Sequence, residues 1–281
     1  MPRLFDQLDP SIQQRLFKGV VHTGARYLSS SKPEQRHIDL FDDHFTLFRA
    51  CADGNLDALR SLLDLGLPLD QVPARHSDWA SPLCLVIQHA APKAATRMLD
   101  LLLSRGANPN FIPQPVPNQA SASPMHAGCA NPEVVARLIA AGGDVRLASP
   151  AYGGLLDQWL WHFQQLAPAK HAAAFKALDI LLGTGLSPTQ PLLHGTPFLV
   201  RAWGIAPLRP FTMDLIDRGF DPYKRSAAQG PAGNSLAEFL EKNPPRANAA
   251  AHTKKLTAFL AATALDATTP KVVSRSTRSR M

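Results

Sequence analysis

The residues best suited to chemistry in this 281-residue sequence are three cysteines, Cys51, Cys84 and Cys129, and ten histidines. A nucleophilic thiol needs an electropositive, open surrounding and a base, and the sequence around none of the three supplies either. No CxxC occurs and no histidine or cysteine pair has zinc-ligand spacing, so no metal is expected. Asp42 and Asp43 stand beside His44, but adjacent residues on a helix point about 100 degrees apart and cannot converge on one ion. QGPAGNS at 229–235 follows no strand and reads as a loop leading into a helix. No G-x-S-x-G, P-loop or dinucleotide pattern is present. The sequence therefore predicts no enzyme and no cofactor.

The elements around these residues are helical. Hydrophobic residues make up 45% and aromatics only 7%, with Ala and Leu dominant, a composition that favours helix over strand. The 25 prolines fall mostly between helical stretches and mark short helices with stiff connectors. One element recurs: a leucine-rich helix, a Gly, then a short polar or Pro-containing stretch. It reads LDALRSLLDLGLPLD (56–70), MLDLLLSRGANPN (98–110), EVVARLIAAGGDVR (133–146), ALDILLGTGLSPT (177–189) and TMDLIDRGFDPY (212–223). The glycines Gly66, Gly106, Gly142, Gly185 and Gly219 lie 40, 36, 43 and 34 residues apart. Each stands where a helix stops and a left-handed residue is required. Before each, apolar residues recur at helical spacing, as in Leu59, Leu62 and Leu63, or Val135, Leu138 and Ile139. A shorter helix precedes each one, opened at 81, 123 and 196 by Ser-Pro or Thr-Pro, in which the hydroxyl caps the end and Pro occupies the first turn.

The segment SPMHAGCANPEVVARLIAAGGDVR (123–146) resembles the ankyrin repeat, with Pro124, Met125, His126, Glu133, Val134, Val135, Leu138, Ile139, Gly142 and Asp144 at motif positions. RGANPN (105–110) and ADGNLDALRSLLDLG (52–66) match its close and its middle. The resemblance covers about 45–223, with a terminal half-repeat at GNSLAEFLEKN (233–243). It implies an all-α ankyrin-repeat solenoid of stacked antiparallel helix pairs. It also implies that His126 bonds to backbone between neighbouring repeats, and that Cys51 and Cys129 are small filler at one phase of the repeat. The chain departs from the family by extra residues at 70–80, 90–97 and 111–122. Its fourth unit (153–185) lacks the Thr-Pro-Leu-His element, and both of its helices look elongated. Residues 1–44 are expected to form an N-terminal helical cap, patterned at 11–20 and 34–44. Residues 45–243 give about five degenerate repeats, 244–266 a C-terminal capping helix, and 267–281 a disordered, solvated basic tail.

Stacked repeats leave one concave face whose side chains the core does not need, and the resemblance implies that a protein partner binds there and at the turn tips. Arg75, His76 and Trp79, Phe111, Tyr152, Trp203, and Tyr223 with Arg225 are the candidate partner-binding residues, being of interface-favoured types in tips or short helices. The net charge is +7, of which the tail supplies four cations through Lys271, Arg275, Arg278 and Arg280. No basic stripe runs along a helix, so nucleic acid is not an expected partner. No apolar run is long enough for a bilayer, and the N-terminus lacks an apolar signal core. The expectation is a monomeric, cytoplasmic binding module, with a secretion route that needs no cleavable signal left open. Alternative functions are a toxin-neutralising immunity factor or a secreted effector that occupies its target. Further alternatives are a structural scaffold, and an enzyme with a site in 1–44 or in the fourth unit.

Overall fold

The computed structural model describes residues 7–16, 43–66, 69–70, 81–112, 122–149, 153–188, 192–225, 234–243 and 251–268. The helices are α1 (10–16), α2 (Asp43–Ala52), α3 (Leu56–Asp64), α4 (Pro82–His89), α5 (Pro92–Ser104), α6 (Pro124–Gly128) and α7 (Pro132–Ala140). They continue with α8 (Leu155–Gln165), α9 (His171–Gly183), α10 (Phe198–Gly204), α11 (Thr212–Asp217), α12 (Leu236–Lys242) and α13 (Ala251–Thr268). Among the described residues there is no strand, and the β-type pairing is one isolated bridge, Ser149 to Gly153. The chain divides into two compact units, Met1–Ser187 and Pro188–Met281.

Helix starts follow the caps. Ser81 and Ser123 accept from the Cys84 and His126 amides, with Pro82 and Pro124 in the first turn, where a missing N–H leaves no bond unmade. Thr196-Pro197 behaves differently. Pro197 stays extended at ψ 139° as the N-cap itself, so α10 starts one residue later and no side chain caps it. The second helices α3 and α7 are capped by Asn55 and Asn131.

Helix ends follow the five glycines, whose φ values lie between 89° and 104° as the sequence predicts for Gly142 and its equivalents. At Gly142 the amide donates to Ile139 O (2.9 Å) and the next amide to Leu138 O (2.8 Å), the paired bonds that close a Schellman end. The same pair recurs at Gly106, Gly185 and Gly219. Ala107, Leu186 and Phe220, the residues just after these three glycines, are buried.

In the first unit the helices form two rows. Along one, α2 packs on α4, α4 on α6 and α6 on α8; along the other, α3 packs on α5, α5 on α7 and α7 on α9. The core lies between the rows and includes Leu59, Leu62, Leu102 and Leu138, all fully buried. Ile139 is only half-buried, because the face toward α6 and the neighbouring helices is taken by Val134, Val135 and Leu138. The fourth unit is elongated as expected: α8 has 11 residues and α9 has 13, against 5 in α6 and 9 in α7. Its extra length is aromatic. Trp159 stacks on Phe163 at 5.1 Å and meets Phe175 edge-on, while its indole N–H donates to Ala174 O (2.9 Å).

At the N-terminus, Leu8, Ile12 and Leu16 are buried at a spacing of four, and Arg15 approaches Asp57 of α3 at 3.8 Å. Residues 17–42, including the expected helix at 34–44 up to Asp42, lie outside the described residues. In the second unit α10 packs on α12 and on the 3-10 turn Ala206–Phe211, which α13 also contacts. Phe198 and Phe220 stack at 4.4 Å. Ser235 and Glu238 cap α12 reciprocally, so the Gly-containing segment does lead into a helix. The terminal helix runs Ala251–Thr268, two residues into the segment expected to be tail.

Candidate functional site

Two flanks of the first unit carry the features a partner could use. The tip flank is held by a ladder of short polar side chains. Asp70 accepts from the Asn108 amide (3.1 Å), and Asn108 Oδ1 accepts from the Asn110 amide (2.9 Å). Asn110 then bridges to the next repeat: its Nδ2 donates to Gly142 O (2.9 Å) and its Oδ1 accepts from the Asp144 amide (2.7 Å). Asn and Asp suit this work because their side chains reach backbone groups two residues away or one repeat away without a long flexible stem.

His126 and His162 form a second clamp. His126 Nε2 donates to Gly153 O (3.2 Å), at the turn that opens α8. That fixes its tautomer, so Nδ1 accepts from the Ser123 hydroxyl (2.7 Å). His162 of α8 returns the contact, with Nε2 donating to His126 O (3.1 Å). Burial lowers both imidazole pKa values, only partly opposed by these carbonyls, and keeps the rings neutral for this tautomeric chain.

The open side of the first-helix row presents Trp161, 54% exposed. Trp159 and Phe163 face α9, and Trp161 lies about 200 degrees around the helix from each, so it points away from the second-helix row. Its indole meets the His162 ring edge-on at 4.9 Å. Trp161 is absent from the residues singled out in the sequence. The signal was there: in WLWHF, Trp161 is the aromatic that breaks the helical phase of Trp159 and Phe163.

The sequence-predicted residues scatter. Arg75, His76, Trp79 and Tyr152 lie outside the described residues. Phe111 is half-buried in the tip after Asn110. Trp203 is buried at 9% exposure, with the Arg209 guanidinium 5.9 Å from its ring and Arg209 Nε donating to its carbonyl (2.9 Å). Tyr223 is 45% exposed, but its hydroxyl donates to Leu260 O (3.0 Å) and bonds to Thr263 Oγ1 (2.6 Å) of α13. Arg225 pairs with Glu238 of α12, which holds that carboxyl below its usual range. Tyr223 and Arg225 thus tie the last tip to α13 and α12 while remaining accessible.

Comparison with known proteins gives the architecture a precedent. No family model matches the sequence, and no curated protein does. Among solved structures 239 chains match. One is the crystal structure of the ankyrin repeat protein EF0377, at 15% identity and a TM-score of 0.54, over 78% of this chain and 97% of that one. The fold is that of the ankyrin repeat. His126 makes the repeat-to-repeat backbone bond that the ankyrin motif implies. Cys51 and Cys129 are fully buried in the first helices α2 and at the end of α6, and Cys84 is buried in α4. Burial pushes all three thiols up, Cys84 to about 11, so they stay protonated and act as apolar filler. Among the described residues no His, Cys, Asp and Glu group could hold a metal, and no helix is long and apolar enough to cross a membrane.

Proposed function

We propose that this ankyrin-fold chain is a binding module for another protein, engaged through the open side of the first-helix row and the adjoining tips. The exposed indole of Trp161 carries the reading. A large aromatic turned away from the second-helix row and 54% exposed adds little to the core, and tryptophan is among the side chains that most often anchor an interface. The Asp70, Asn108, Asn110 and Asp144 ladder supports it by fixing the positions from which successive tips depart, which lowers the ordering cost of binding there. Arg75, His76, Trp79, Phe111 and Tyr152 belong to these tips by sequence position. Tyr223 and Arg225 offer the same chemistry in the second unit.

The test is affinity capture from native lysate followed by calorimetric titration of the captured partner. Trp161→Ala should cost at least about 2 kcal/mol of binding with its melting curve unchanged. Retained affinity in Trp161→Ala, together with loss on substitution along the outer faces of α5 and α7, would assign binding to the other row.

A further inference from the structure

We propose a second docking site, at the opposite edge of the first unit, for an acidic peptide segment that carries a bulky apolar side chain. It goes beyond the proposal above and does not depend on it. The second helices α5, α7 and α9 are in register at their glycine ends, each stopping two residues before Gly106, Gly142 or Gly185. Because α5 and α9 have 13 residues and α7 has 9, the flanking helices overshoot α7 at the other end by about 6 Å, one helical turn. The first helices repeat the pattern, with 5 residues in α6 between 8 in α4 and 11 in α8. The third repeat is therefore recessed between taller neighbours, and an open notch of about 490 Å³ lies over it.

The floor of this notch is apolar and made of small or branched side chains, among them Ile87, Ala95, Leu99, Ala127 and Val134. That volume suits one or two large side chains rather than a whole helix. Its charge selects the occupant. The charged side chains that line it are Arg137 and Lys170 against Glu133. Asp100 is already held by Arg137 Nε at 3.0 Å, and no ion pair engages Lys170 among the described residues. An apolar cleft with Lys170 on its rim fits an apolar side chain followed by a carboxylate, which would gain burial from the floor and attraction from that lysine.

The experiment pans a random-peptide phage library on the full chain, with counter-selection on Ala173→Trp, an exposed rim position on α9 where an indole would fill the notch. Enriched sequences should combine Leu or Phe with Asp or Glu. The leading synthetic peptide, followed by fluorescence anisotropy, should bind at least about tenfold more weakly to Lys170→Glu, lose binding to Ala173→Trp, weaken with salt, and be unaffected by Trp161→Ala. Melting curves of both notch variants establish that they fold, and Lys170→Glu alone suffices if Ala173→Trp does not. The proposal falls if no sequence is enriched, if the enriched peptides lack an acidic excess, or if both variants bind like the parent. A concentration-dependent dimer abolished by Ala173→Trp would assign the notch to a second copy of the chain and overturn it equally.

Discussion

Asn110→Ala tests whether the polar ladder holds neighbouring repeats together. The substitution removes the donor to Gly142 O and the acceptor for the Asp144 amide, while Asn110's own amide keeps its bond to Asn108. A net hydrogen bond contributes about 0.5–1.5 kcal/mol, which sets a ceiling of roughly 3 kcal/mol for two. Asn110 is half-buried and the Gly142 and Asp144 positions are exposed, so water takes over part of both interactions. The expected loss is therefore about 1–2 kcal/mol. Asn110→Asp sharpens the test: it keeps the acceptor for the Asp144 amide but sets a carboxylate oxygen against the Gly142 carbonyl and brings charge toward Asp144. It should lose at least as much as Ala, with a deficit that shrinks in salt. Urea denaturation of the full chain should show a lower midpoint at unchanged slope. If Asn110→Ala lies within about 0.3 kcal/mol of the parent, the ladder is a consequence of the stacking and does not help hold it.

Other expectations follow from packing and titration. Leu138→Ala empties a fully buried site and should cost about 2–5 kcal/mol by denaturant melts, whereas Ile139→Ala, half-buried, should cost clearly less. Gly142→Ala meets nothing within 4 Å but must hold φ near 89°, so it should cost about 1 kcal/mol, purely from the backbone. Gly128→Ala has an ordinary helical φ, yet its Cβ would run into Cγ1 of Val134; thermal melts should rank it as the more damaging of the two. His126 and His162 have folded pKa values depressed below 6.5. Their contribution is present above about pH 6.5 and is lost as pH falls toward the folded values, at no more than about 1.4 kcal/mol per pH unit for each. Melts across that range should flatten in His162→Gln, and an unchanged slope would show that His162 is not part of the acid response.

The glycines were the legible part of the fold. A leucine helix followed by Gly has one inexpensive way to end, so Gly66, Gly106, Gly142, Gly185 and Gly219 read directly as left-handed caps, and their order placed the second helices. Ser-Pro starts were nearly as clear, and Thr196-Pro197 failed because the same two residues can also sit one step outside a helix. Candidate binding residues were harder to read. Interface-favoured type plus a place at the end of a short helix selected Trp203, whose alternative, packing on the Pro207–Pro210 turn, matches its contacts with Arg209. Tyr223 was equally ambiguous until α13 supplied Leu260 O and Thr263, some 37 and 40 residues away. Trp161 was not singled out at all, because it lies inside an apolar run, although helical phase alone sets it apart from Trp159 and Phe163.

The spacing between successive glycines measures a repeat's total length but not how that length divides between tip and helices. Gly106 and Gly142 are 36 residues apart, close to an ordinary repeat, yet this interval combines a long tip with two short helices, of 5 and 9 residues. The next interval, at 43 residues, combines a short tip with two long helices. The two choices are physically coupled. Asp70, Asn108, Asn110 and Asp144 pin the glycine ends of α3, α5 and α7 to one level, so a difference in length among these helices must emerge at the far end. A regular tip edge and an irregular opposite edge are thus products of the same ladder. The irregular edge makes the recess over the third repeat. This coupling predicts that lengthening α7 by one turn, through four helix-forming residues inserted between Pro132 and Val135, should fill the recess without disturbing Asn110 or Asp144. Amide exchange protection at Asp144 should therefore stay at its parental value while notch binding is lost. Loss of protection at Asp144 in that variant would show that the added turn had been pushed toward the tips, and that the ladder does not set the level of the helices.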